Sequence, residues 1–147
     1  MDRMLLTLKC EPVFSDVDEA RKAVQNVCKA EYGHPGSEEA INELLLAVTE
    51  AMNNAVEHSG AGEIGIEVFA GQEGPIVRII TEGKRFDPTV GVSFPDLDAV
   101  DELPEGGFGK ALIMEMADSV TYEYCAGKNI FSLGKKIHKK EEQINGD

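Results

Sequence analysis

Three polar side chains of different chemistry stand four residues apart in the run Glu50-Ala51-Met52-Asn53-Asn54-Ala55-Val56-Glu57-His58. Glu50, Asn54 and His58 fall at the end of a long amphipathic helical pattern, and four-residue spacing stacks side chains along one helix face. Ile41, Leu44, Leu45, Val48, Met52 and Ala55 mark the apolar stripe of that helix. The polar row therefore lies beside the stripe, at the rim of a core. A carboxylate, an amide oxygen and an imidazole so arranged can serve as a base, a magnesium ligand and an orienting donor. The same residues also suit a plain polar helix shoulder, since Glu and Asn are common on exposed helix faces.

A second run, Pro104-Glu105-Gly106-Gly107-Phe108-Gly109-Lys110-Ala111-Leu112-Ile113, places three glycines in four residues at the entry to another helical pattern, Leu112, Ile113, Met116 and Ala117. Free backbone N–H groups at the positive end of a helix dipole suit phosphate oxygens. The run is not a Walker A loop, which wants Gly where Pro104 stands and Ser or Thr where Ala111 stands. Nor is it a dinucleotide fingerprint, because Leu112 occupies the place of the last glycine. Alone it reads as a turn; beside the Glu50 row it points to phosphate.

The elements that must position these residues follow from periodicity. Met4 to Cys10 alternates as a strand. Ser15 is placed to cap a helix through Val17, Ala20, Val24, Val27 and Cys28, which Gly33 ends; His34-Pro35-Gly36 is a turn. Ser37 caps the long second helix and Gly60 closes it. Glu63 to Ala70 and Ile76 to Thr81 are paired strands around the Gly71 to Pro75 turn. Gly83 to Gly107 reads as a long acidic loop, of the kind that is functional or disordered. Gly107 to Asp118 is the third helix. Val120 to Cys125 and Asn129 to Lys135 form a last hairpin, and a frayed tail is expected from Gly134 onward.

At 147 residues the chain suits one domain, and its 42% apolar and 28% charged content are those of a soluble protein. No apolar run approaches a membrane span, so a cytoplasmic protein without membrane contact is expected. Cys10, Cys28 and Cys125 are scattered and read as reduced core residues, with no zinc pattern. His34 lies in a turn and His138 in the charged tail. The net charge of −13 argues against a nucleic-acid surface and suits a partner with a basic face.

Together these residues resemble the nucleotide-binding (GHKL, or Bergerat) fold shared by gyrase B, Hsp90, histidine kinases and MutL. Within that superfamily the chain looks most like the anti-sigma-factor serine kinases, from about Met4 to about Ile137. Glu50 to His58 looks like the family's N-box, with Glu50 in the general-base position and Asn54 in the magnesium-ligand position; His58 goes with the nucleotide-binding residues. Gly106 to Ile113 looks like the second glycine box, in which Gly106, Gly107 and Gly109 face phosphate. The resemblance implies an α+β fold: a two-layer α/β sandwich with a mixed sheet and helices on one face. It makes residues 1–147 a single domain, with a nucleotide lid at about 84–106 and a tail at about 138–147. It also implies ATP with Mg2+, and a serine on an anti-anti-sigma (STAS-type) protein as phosphoacceptor. A sigma factor would be the second partner. The first strand and the outer sheet face are natural places for a homodimer contact.

One box departs from the family pattern. Where the family carries Asp-x-Gly-x-Gly, with its Asp on the adenine amino group, this chain has Thr81-Glu82-Gly83-Lys84-Arg85. Thr81 replaces the Asp, Gly83 is retained and Arg85 replaces the second glycine. A hydroxyl can accept one hydrogen bond but carries no charge. Losing a charge-assisted bond costs adenine recognition about 1.5–3 kcal/mol, roughly ten- to a hundredfold in affinity. Weak, magnesium-dependent binding of ATP is expected. The alternative is a degenerate protein-binding module of the same fold with little or no nucleotide binding. Thr81 and Arg85 favour that module; Glu50, Asn54 and Gly106 to Gly109 oppose it.

Overall fold

In the computed structural model, which describes residues 2–60, 62–87 and 107–138 (backbone alone for 107–110), the alternating segments become five strands. These are β1 (Arg3–Cys10), β2 (Ile64–Ala70), β3 (Pro75–Glu82), β4 (Ser119–Cys125) and β5 (Lys128–Gly134); the 3.6-period segments become α1 (Phe14–Tyr32), α2 (Glu38–His58) and α3 (Gly107–Met116). The sheet order is β1-β2-β3-β5-β4. Alternation sends Ile64, Ile66 and Val68 of β2, Val77 and Ile79 of β3, and Phe131 and Leu133 of β5 to one buried face. The helices cover that face. α2 packs against α1, α3 and the central strands, which is why Ile41, Leu44, Leu45, Ala47, Val48, Ala51 and Met52 are all buried, well beyond a single stripe.

The sheet departs from the mixed arrangement expected: all four described strand pairs are antiparallel. Two helices between β1 and β2 return the chain in the opposite direction. The single helix α3 leaves β3 and β4 running the same way, but β5 inserts between them and turns both contacts antiparallel. The parallel relation is there in direction and split in space.

Local punctuation differs in three places. α1 starts one residue before Ser15, with Val13 as N-cap, and Asp16 instead accepts the Glu11 N–H at 3.0 Å. Ser37 precedes α2 without capping it: its hydroxyl donates to the His34 carbonyl at 2.9 Å and accepts the His34 N–H at 3.0 Å, closing the turn. The fray expected from Gly134 is absent as far as Ile137. Lys135 N–H donates to Pro75 O and Ile137 N–H to Glu73 O, and Ile137 is buried. Gly74 makes room for this strap, since a Cβ there would meet Lys135 O at 2.0 Å. The two histidines expected apart also meet, with His34 Nε2 lying 3.0 Å from the His138 carbonyl. Of the cysteines, Cys28 is in the core, Cys10 is half-buried, and Cys125, at the exposed end of β4, is not a core residue.

Candidate functional site

The described members of the expected site fall toward one end of the sandwich, and the strand register shows which end. Thr81, at the close of β3, faces Ile64 at the start of β2 and Asn129 at the start of β5. α2 delivers its C-terminal half to this end, since His58 leads through a short connection to Ile64. At the opposite end the buried Lys135 ammonium donates to the Met116 carbonyl at 2.6 Å and lies 3.2 Å from Glu43. That contact joins the last turn of α3 to the first half of α2. The two helices therefore run antiparallel, and the N-terminus of α3 lies at the end that holds Asn54 and Thr81.

Along α2 the three-residue row diverges in environment. Glu50 is half-buried, and among the described residues its carboxylate has no hydrogen-bond or ion-pair partner. Asn54, one turn on, is 7% exposed, and its buried Nδ2 has no partner among the described residues. An unmet buried amide N–H costs about 1–3 kcal/mol, so it marks a place where the protein alone is incomplete. His58 stands apart from this pair. Its side chain is half exposed, 3.4 Å from Glu57 Oε2, with its ring 6.4 Å from the Phe86 ring.

On the sheet side, Thr81 is buried. Gly83 has φ 135°, a conformation that favours glycine, and open space where a Cβ would stand; backbone conformation is what requires a glycine here. The chain then follows a fastened path. Gly83 N–H donates to Gly127 O at 3.0 Å, and its carbonyl accepts the Tyr124 hydroxyl at 2.7 Å. Asn129 Nδ2 donates to Lys84 O at 2.9 Å, and its Oδ1 accepts the Phe86 N–H at 2.7 Å. The Arg85 guanidinium lies over the Tyr122 ring, 5.4 Å from its centroid. Burial pushes the Tyr122 phenol up, with Arg85 pulling the other way, so Tyr122 remains a donor to Asn129 Oδ1 at neutral pH.

Gly107 and Gly109 lie in the first turn of α3, where backbone N–H groups have no intrahelical partner. Gly106 lies outside the described residues, as does most of the expected lid. Its described portion, Lys84–Asp87, includes the segment tied to β5. The expected tail likewise lies outside, His138 excepted.

Magnesium fits this donor set in one way. Among the described residues no group of three or more His, Cys, Asp or Glu side chains could hold a metal. Magnesium bound with a nucleotide commonly takes one or two protein ligands and completes its shell from phosphates and water. The side-chain oxygen of Asn54 is a ligand of the kind that arrangement uses, while its unmet Nδ2 donor and the helix N-terminus suit phosphate oxygens. A 330 Å3 cavity at the far end does not compete: its Glu73, Asp118, Lys135 and Lys136 are engaged with one another.

Sequence reasoning missed Asn129, Tyr122 and Tyr124. Asn129 carried a signal, because the inward alternation Asn129-Phe131-Leu133 puts an amide where the strand calls for an apolar side chain. The two tyrosines carried none, since they read as ordinary strand aromatics.

The histidine kinase-like ATPase domain family matches residues 12–135. The serine-protein kinase RsbW of Oceanobacillus iheyensis is 32% identical over 120 residues, 76% of this chain and 75% of that protein. Its counterpart in Staphylococcus epidermidis is 33% identical over 118 residues, 73% and 72% of the two chains. Among solved structures, the SiaB–SiaC complex from Pseudomonas aeruginosa contains a chain that matches with a TM-score of 0.60 at 15% identity, over 92% of this chain and 91% of that one. A Mycobacterium tuberculosis protein solved as its RsbU and RsbW domains matches with a TM-score of 0.59 at 14% identity, over 93% of this chain; this chain spans 34% of that longer one. At those identities the two structures speak for the fold alone. The extent of the domain match and the identity with the kinases together show that the chain belongs to the RsbW serine-protein kinase family of histidine kinase-like ATPase domains.

Proposed function

We propose that this protein is an ATP-dependent serine kinase of the partner-switching type, which phosphorylates an anti-anti-sigma (STAS-type) protein and holds a sigma factor in check. The observation that carries the reading is the contrast along α2: among the described residues the Glu50 carboxylate has no partner, and one turn away the buried Asn54 Nδ2 donor lacks one too. When bound with magnesium, ATP supplies the phosphoryl group. Glu50 would take the proton of the acceptor serine hydroxyl as its oxygen bonds to the γ-phosphorus and the bond to the departing ADP breaks, a role that needs a carboxylate near the surface, where a partner can reach it. Asn54 offers its side-chain oxygen to the metal. The backbone N–H groups of Gly106, Gly107 and Gly109 hold phosphate, and Thr81 accepts one hydrogen bond from the base. Such a division of labour suits phosphoryl transfer, which rests on positioning and charge neutralisation. His58 lies at the rim, beside Phe86. The edge strand β1 is available for pairing with a second copy, and the acidic surface suits a basic partner.

The test separates the two α2 residues. Glu50→Gln should remove phosphoryl transfer to an added STAS-type protein and leave magnesium–ATP affinity within about twofold, because a base acts on the acceptor and not on ATP. Asn54→Ala should weaken magnesium–ATP binding itself. Equal loss of binding in both variants would assign the pair to structure alone. Absence of binding in the parent protein would leave the protein-binding module, the reading that Thr81 and Arg85 favour.

A further inference from the structure

Asn129 is 4% exposed on the helix-facing side of the sheet, opposite Thr81 on β3 and Tyr124 on β4. Its carboxamide has one workable orientation. The Phe86 N–H can only donate and the Lys84 carbonyl can only accept, so Oδ1 must face Phe86 and Nδ2 must face Lys84. Oδ1 also takes the Tyr122 hydroxyl. One buried side chain thus grips two backbone groups that lie 43 and 45 positions away in the chain. Little else could hold that segment by burial, since Lys84 and Arg85 are exposed. Its neighbour Gly83 is fastened separately, through Gly127 and Tyr124. The path that results brings the Phe86 ring to 6.4 Å from His58, one turn beyond Asn54 on α2.

We infer that Asn129 is the positioning residue for the base side of the nucleotide site: by fixing the course of Lys84–Phe86 it builds the wall beside Thr81 before a ligand arrives. This rests on the nucleotide-binding reading given above. A wall already in place spares the ligand the cost of ordering it. The role also accounts for how the chain manages with Arg85: a side-chain clamp sets the backbone course in a segment that has one glycine fewer.

Neither Asp nor Ala can substitute. Asp keeps the acceptor but has no N–H for Lys84, and Ala has neither group. The experiment compares the parent protein, Asn129→Ala and Val24→Ala, the last a truncation in the core of α1 that weakens the fold without touching the site. Calorimetric titration with ATP and magnesium is read beside residue-resolved exchange of the Phe86 amide. We expect Asn129→Ala to bind at least about tenfold more weakly, the equivalent of one or two lost hydrogen bonds, and its Phe86 amide to exchange faster. Val24→Ala should lower the melting temperature and keep the parent affinity. Should the Ala variant fail to fold, Asn129→Asp provides the same comparison. Equal affinity in parent and Asn129 variants, or an equal loss in Val24→Ala, would overturn the positioning role alone. A parent protein that takes up no nucleotide at millimolar ATP would overturn the nucleotide reading, and this role with it.

Discussion

Two buried polar atoms among the described residues, Tyr32 Oη and Asn54 Nδ2, lack a hydrogen-bond partner, and they call for different explanations. Tyr32 closes α1 at the end away from Thr81 and is fully buried. Nothing in the proposed reaction uses its hydroxyl, so Tyr32→Phe should keep the packing and remove an unmet polar group. The expected result is a gain of about 1 kcal/mol in unfolding free energy, read as a higher denaturant midpoint at constant slope. A loss would mean that the hydroxyl is satisfied by water in solution. Cys28 also belongs to this scale. Burial pushes its thiol from 9.0 up to about 12. A group whose pKa is raised in the folded state gives stability that is whole below its unfolded value and lost as pH rises through the folded one. The melting temperature should therefore fall between about pH 9 and pH 12, and Cys28→Val should soften the early part of that fall. Cys125, exposed, should react with a thiol reagent at pH 8 in the folded protein, whereas Cys28 should react only on unfolding.

Among the elements, Lys135 joins α2, α3 and the end of β5 at the pole opposite the site. Its ammonium is buried, with the Met116 carbonyl at 2.6 Å and Glu43 at 3.2 Å. Removing a charged donor from such a place costs about 1.5–3 kcal/mol. Lys135→Met, which keeps the aliphatic stem, should lose that much in chemical denaturation; an unchanged midpoint would show that packing of the stem alone holds the strap. Lys135 also illustrates what the sequence concealed. Periodicity revealed the strands and helices because each buries one face, and the inward positions Ile64, Ile66, Val68, Val77 and Ile79 could be read one by one. It could not reveal that a lysine after the last strand is buried, because its partners come from residues 19 and 92 positions away in the chain. Nor could it show that Ser37 binds His34 and leaves α2 uncapped, since the spacing of a cap and that of a turn are the same there.

For the molecule as a whole, the candidate site was legible where it lies on one element and obscure where it is assembled from several. Glu50 and Asn54 came from i, i+4 spacing on α2, and the glycine entry to α3 from local composition. The Asn129 clamp is made by register: β5 must pair with β3 before Asn129 faces Thr81, and no local pattern encodes that pairing. The mixed sheet that the resemblance implied is antiparallel throughout the described pairs for a related reason, since β5 enters between β3 and β4 after both directions are set. Magnesium–ATP should bridge these separately positioned parts, α2, the end of β3 and the N-terminus of α3. Binding should accordingly stabilise the whole fold. At ten times the dissociation constant the ligand adds about 1.4 kcal/mol, a few degrees in melting temperature.

If Asn54 sits in a magnesium–nucleotide site, its oxygen toward the metal and its unmet Nδ2 toward a phosphate oxygen, then calorimetric titration of ATP into the parent protein and Asn54→Ala, each with and without magnesium, reads it out. Saturable binding by the parent protein that needs magnesium is expected, lost in Asn54→Ala, while the variant free of ligand melts no lower than the parent because an unpaired buried group has been removed. A parent protein silent at millimolar ATP, or an Asn54→Ala variant that binds as tightly as the parent, would contradict it.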